Sequence, residues 1–235
     1  MGARKIRDIE YYLLEGTNRK TTDIVIERDG TICVRPPLNK TAEEVDVIVE
    51  DKRMWIYKNL AEWKELNATA ISRELVNGES YYYLGRNYRL RLVLDQKEPL
   101  VLKGGRFLLN IKNIGKDPQS SSQKAFVEFY MKKGSKRIEE RVEYFSSKVG
   151  VKAGIISIKD LGYRWALCSS MGNLKFHWKC MMAPLSVIDY IIVHELCHIH
   201  HKDHSLKFWN EVDKVLPDYA KRKEWLRING ASLDI

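Results

Sequence analysis

Apolar positions recur every second residue near the start of the chain and switch to helical spacing later. Ile24, Ile26, Ile32 and Val34 flank Asp29-Gly30, a dipeptide that accepts the positive φ values of a tight turn. A hairpin is predicted there, ended by Pro36-Pro37. Thr41-Ala42-Glu43-Glu44 is a capping box that opens a helical stretch to about residue 66. Trp55, Leu60 and Trp63 read as packing residues in it. Residues 81–111 return to strand patterning: Tyr88, Leu90, Leu92 and Leu94 alternate with Arg89, Arg91 and Val93, and Gly104-Gly105 supplies a turn. Asp117-Pro118 and the serines at 120–122 mark the clearest break in composition. Phe126, Phe129, Tyr130, Ile138, Val142 and Phe145 then predict a long helix over 123–148, kinked or interrupted at Gly134. Short strands at 155–158 and 174–178 precede Pro184, and three helices follow, beginning near 186, 205 and 219. No internal repeat is visible. The predicted class is α+β, with a β-rich N-terminal domain (1–116, one helical insertion) and a C-terminal domain (117–235) that holds the chemistry.

The chain has 235 residues, 44% of them hydrophobic and 30% charged, which is ordinary for a globular protein and too apolar for disorder. No apolar run reaches the roughly 18 residues that a membrane helix needs, and Met1-Gly2-Ala3-Arg4-Lys5 leads into no apolar stretch of the kind that marks a secretory signal. Cys33, Cys168, Cys180 and Cys197 form no CxxC pair, which argues against a disulfide framework or a cysteine-only zinc site. A cytoplasmic location is the resulting expectation. The net charge of +9 favours a polyanionic neighbour such as nucleic acid or a nucleotide, with a solvated basic surface as the alternative.

Five of the six histidines lie between His194 and His204. His194-Glu195-Leu196-Cys197-His198 is an HExxH pattern. On a helix its two imidazoles sit one turn apart on one face and can grip a single zinc ion, with the intervening Glu close to that line. The apolar run Val187, Ile188, Ile191, Ile192 and Val193 buries this helix, and buried polar groups need partners. A catalytic zinc takes three protein ligands and keeps one open position. The candidates are His200, His201, His204 and Glu211. On an unbroken helix His200 points away, and His201 lies about 10 Å along the axis from His194. The helix must therefore end and the chain must return a ligand. His204 suits this, with Glu211 as the alternative. The 194/198/204 spacing is that of HExxHxxGxxH, except that His201 stands where that pattern has its turn glycine. Glu195 is assigned as general base. Asp189 and Asp203 offer either to orient ligand imidazoles or to cap and solvate. Cys197 reads as a small buried side chain.

Through these residues the chain resembles the YgjP-like metallopeptidase family, relatives of the SprT-type zincins. The likeness runs through residues 189–198, His204-Ser205, Phe208-Trp209, Leu216-Pro217 and Tyr219. Upstream it includes Tyr163-Arg164-Trp165, Cys168-Ser169, Gly172-Asn173-Leu174 and Ala183-Pro184, and further upstream Asp29-Gly30, Pro36, Trp55-Ile56, Gly78-Glu79 and Tyr83-Leu84-Gly85. Ala166-Leu167 stands where the family has Gly-Ser. The resemblance implies a zincin-like catalytic domain with zinc at His194, His198 and His204, Glu195 as catalytic acid/base, and a peptide or protein substrate. It also admits two other activities: metal-dependent pyrophosphatase action on nucleoside triphosphates, UTP in particular, and a DNA-associated protease or binding module. Arg164 offers a guanidinium for an anion or oxyanion, with a structural salt bridge as the alternative. His177 offers a polar group on its strand.

Overall fold

The computed structural model describes residues 2–18, 21–27, 29–68, 73–113, 117–162 and 164–235. The chain divides into two compact units, Met1–Thr69 and Ala70–Ile235. In the first, β1 (Gly2–Ile6) and β2 (Ile9–Leu13) form one hairpin, and β3 (Asp23–Ile26) and β4 (Ile32–Arg35) form another. The second hairpin has the register that the alternation predicts, with Ile24 opposite Val34 and Ile26 opposite Ile32. Parallel pairing of β2 with β4 gives the order β1-β2-β4-β3. Ile9, Tyr11, Ile32 and Val34 are buried in one cluster with Val45 and Val49 of α1 (Ala42–Asp51) and Ile56 of α2 (Arg53–Asn67). The capping box is present: Thr41 Oγ1 accepts from Glu44 N–H at 3.3 Å, and the Glu44 carboxylate accepts from Thr41 N–H at 2.9 Å. The single helical stretch read from the sequence is two helices, divided at Lys52. Trp55 is exposed and not part of the core.

The second unit opens with β5 (Ser80–Tyr83), β6 (Arg86–Val93), β7 (Leu100–Lys103) and β8 (Arg106–Asn110). Their order is β5-β6-β8-β7, with β6 parallel to β8, so this sheet repeats the path of the first. Next comes α3 (Pro118–Val149). It begins five residues before the expected start, because Asp117 accepts from Ser120 N–H as the cap and Pro118 takes the first helical position, where its missing N–H costs nothing. The helix continues through Gly134 without interruption. A Cβ there would lie 2.5 Å from Ile158 Cδ1 and 3.0 Å from Met181 Cγ, so the glycine permits close approach.

Aromatic packing joins sheet and helix: Tyr81 stacks on Phe126 at 4.4 Å, and Phe107 meets Phe129 edge-on at 5.3 Å. These contacts place the β5–β8 sheet in one unit with α3, and the division falls at 69/70, whereas the composition break lies at 116/117.

β9 (Ile156–Lys159), β10 (Ala166–Cys168) and β11 (Leu174–His177) form a small sheet in the order β10-β11-β9, leaving β10 at an edge. Three helices complete the unit: α4 (Leu185–His200), α5 (Leu206–Val215) and α6 (Tyr219–Asn229). The β5–β6 turn docks just ahead of α4, where Leu84 and Gly85 N–H donate to Met181 and Met182 carbonyls at 2.8 and 3.0 Å. Arg141 of α3 holds Asp189 of α4 through two bonds of 2.7 Å. No helix among the described residues is long and apolar enough to cross a membrane.

Candidate metal centre

The helix α4 is buried over most of its length, including Val187, Ile188, Ile191, Ile192 and Val193. One turn apart on it, His194 and His198 bring their Nε2 atoms to 3.2 Å. The helix stops at His200, and His201 is extended at φ −120°, ψ 118°, with its N–H on the Cys197 carbonyl at 2.9 Å. The short loop that follows returns His204, whose Nε2 lies 3.0 Å from that of His194. One ligand atom from each of the three residues falls within 4.8 Å of the others.

A tetrahedral zinc with bonds of about 2.05 Å holds its nitrogens about 3.3 Å apart, which the His194–His198 and His194–His204 spacings match. Tautomer evidence agrees. His198 Nδ1–H donates to the His201 carbonyl at 3.0 Å, which leaves the Nε2 lone pair aimed at the other rings. Neutral imidazoles converging in this way repel unless a cation or shared proton lies between them. Burial and the neighbouring histidines hold His194 well below the usual histidine range, and burial lowers His198, so both stay neutral. His194 Nδ1 is itself buried without a hydrogen-bond partner. Three converging imidazoles form a donor set that suits a borderline divalent ion. The residues present fit a metal.

Behind the rings, Phe208 is fully buried, with its centroid 4.9 Å from that of His194, 4.6 Å from His198 and 4.9 Å from His204. Trp209 stacks on His204 at 5.7 Å and on Tyr219 at 5.3 Å. These two aromatics from α5 wall the site with apolar surface. The residue reading from spacing did not find them, although Phe208 lies only four residues after His204.

Glu195 is 7% exposed. Burial alone pushes its pKa up to about 8. The Cys168 thiol of β10 and the Tyr190 hydroxyl lie within electrostatic reach of it, and burial raises both.

The remaining candidate residues are placed as follows. Glu211 is not brought to the three imidazoles: its Oε1 accepts from His200 Nδ1–H at 2.8 Å, and its Oε2 lies 2.7 Å from His201 Nε2. Asp189 holds Arg141 and no imidazole. Asp203 Oδ1 accepts from Ser205 N–H at 3.3 Å. Cys197 is a buried thiol pushed up to about 12 by desolvation. His177 is buried and caps the turn after β11, with Nδ1 accepting from Lys179 N–H at 3.0 Å. Arg164 is exposed on the segment before β10, and Tyr163 lies outside the described residues.

A family model described as YgjP-like, metallopeptidase domain, matches residues 20–229. No curated protein gives a significant match. Among solved structures the chain is similar to part of the metallopeptidase zymogen of Pyrococcus abyssi abylysin: 28% identity, 36% of this chain and 85% of that one covered, TM-score 0.34.

Proposed function

Because the chain belongs to the YgjP-like metallopeptidase family, we propose that it hydrolyses peptide bonds with one zinc ion held by His194, His198 and His204 and with Glu195 as general base. The observation that carries this reading is the convergence of the three imidazole nitrogens within 4.8 Å on a buried helix that also presents Glu195. Zinc, when bound, supplies Lewis acidity, lowering the pKa of water toward neutrality and polarising a carbonyl oxygen.

Glu195 takes a proton from the attacking water and returns it to the leaving amine nitrogen. Phe208 and Trp209 exclude bulk water from one side of the rings and fix their planes. The edge strand β10 lies beside Glu195 and offers a free backbone edge along which an extended peptide can add as a further strand. Ala166 and Leu167 form that edge, so their replacement of the family's Gly-Ser bears on which side chains are accepted.

The test incubates zinc-loaded protein with an unfolded-peptide pool and, separately, with nucleoside triphosphates, following products by mass spectrometry. Peptide cleavage is expected, abolished by chelation and reduced at least about 100-fold in Glu195→Gln, with zinc stoichiometry unchanged. Cleavage that survives Glu195→Gln, or no peptide cleavage at all, refutes the reading. Glu195-dependent turnover of the triphosphates alone reassigns the substrate class.

A further inference from the structure

The loop between His198 and His204 closes without the device that usually reverses a chain at a helix end. A left-handed glycine does this at little cost. His201 occupies that position here and is extended, at φ −120°. The reversal is therefore held by side chains, and one of them comes from a separate helix. Resting on the three-histidine reading above, we propose that Glu211 is a positioning residue: its carboxylate ties His200 and His201 to α5 and thereby holds the His198 ring and the His204 return in metal-binding register.

His201 makes two connections that link Glu211 to the metal centre. Its ring lies 2.7 Å from Glu211 Oε2, and its backbone carbonyl accepts the His198 Nδ1–H at 3.0 Å. The second bond sets the His198 tautomer, so whatever fixes His201 also fixes which nitrogen faces the metal. Glu211 Oε1 meanwhile takes the His200 Nδ1–H at 2.8 Å, pinning the last residue of α4. The Oε2 contact is close but poorly directed, since that oxygen is buried without a formal hydrogen bond. Two further bonds of the loop are local: Lys202 Nζ donates to the His198 carbonyl at 3.2 Å, and Asp203 caps Ser205 N–H at 3.3 Å.

Glu211 is an effective tether because α5 is itself fixed. Phe208, three residues earlier, is fully buried against all three imidazoles, and Val212 is buried beside the same core. One helix thus sets both the planes of the rings and the path of the loop that delivers the third.

The experiment measures zinc affinity by chelator competition, and the His198 ring nitrogens by NMR in metal-free protein. Its variants are Glu211→Ala, Glu211→Gln, the pair His200→Ala/His201→Ala, and that pair combined with Glu211→Ala. Glu211→Ala is expected to weaken zinc about 10- to 100-fold, the usual cost of losing a group that orients a ligand. In the metal-free protein it should shift His198 away from a single Nδ1–H tautomer. Gln should restore most of both, because its amide can accept from His200 and approach His201. In the His200/His201 background, Glu211→Ala should add less than about twofold, since its partners are gone.

Zinc affinity and ring signals unchanged in Glu211→Ala overturn the proposal. If Glu211→Ala does not fold, wild-type affinity in the His200→Ala/His201→Ala protein overturns it instead. If the wild type takes up no zinc, the three-histidine reading fails, and the His198 tautomer in metal-free protein still decides the role of Glu211.

Discussion

Gly85→Ala probes how firmly the β5–β6 turn braces the start of the histidine helix. Gly85 has φ +75°, and an added Cβ would lie 2.8 Å from Pro184 Cα and 2.9 Å from Pro184 Cγ. Pro184 is the residue immediately before α4, so the nearest obstacle is backbone that cannot swing aside. Two costs follow: about 1–2 kcal/mol for alanine in the left-handed region, and about 1–3 kcal/mol for forcing atoms into a packed contact. Gly105→Ala separates them. It has φ +72°, nearly the same conformation, with nothing within 4 Å of its added Cβ. The gap between the two variants therefore reports the steric term, about 2 kcal/mol, or roughly 4–8 °C in Tm for a unit of this size. Thermal unfolding by circular dichroism or calorimetry gives both values under one condition. Melting temperatures for the two variants that agree within error would show that the turn yields freely and does not brace α4.

Two further outcomes follow from the same packing. Arg141→Met leaves the Asp189 carboxylate, 13% exposed at its side chain, without its bidentate partner, and should cost about 2–3 kcal/mol in urea unfolding; Arg141→Met/Asp189→Leu should recover most of it, and an additive loss would refute the pairing. His177 is buried with its pKa held below the usual 6.5, so the folded chain resists a proton that the unfolded chain accepts, and its stability contribution is lost as pH falls below 6.5. In chelator-treated protein His177→Asn, whose Oδ1 can replace Nδ1 as cap, should flatten that acid slope by up to about 1.4 kcal/mol per pH unit; an unaltered slope would remove His177 as its source.

Where order is set by neighbours along the chain, the sequence was legible. The β3–β4 register, the Thr41 capping box and the one-turn spacing of His194 and His198 follow from two-residue, three-residue and four-residue rules. The end of the helix before His204 followed from reach, because 1.5 Å per residue forbids His201 on a continuing helix, and that left His204 and Glu211 both open as the third ligand. Elements that depend on distant partners were not legible. β1 carries few apolar residues, and its hairpin joins the rest of its sheet through the parallel pairing of β2 with β4. The shared path of the two four-stranded sheets exists in their pairing and not in any repeated motif. Asp117-Pro118 is ambiguous by nature, since the same dipeptide ends loops and starts helices. Glu211, the alternative third ligand, is placed by a loop whose closure the residues alone do not specify.

The three ligands are not equally secured, and the difference is physical. His194 and His198 keep their relation as long as α4 is a helix, because the backbone ladder fixes residues four apart. That helix is buried along its apolar face, paired to α3 through Arg141 and Asp189, and met at its start by the β5–β6 turn. His204 has no such ladder. Its position depends on side-chain contacts across the loop and on the aromatic wall of Phe208 and Trp209. Changes in α4 packing should therefore register first as lost stability. Changes in the loop and on the inner face of α5 should register first as lost metal affinity, with the fold retained. The chemistry of the site is most sensitive where the backbone is least regular.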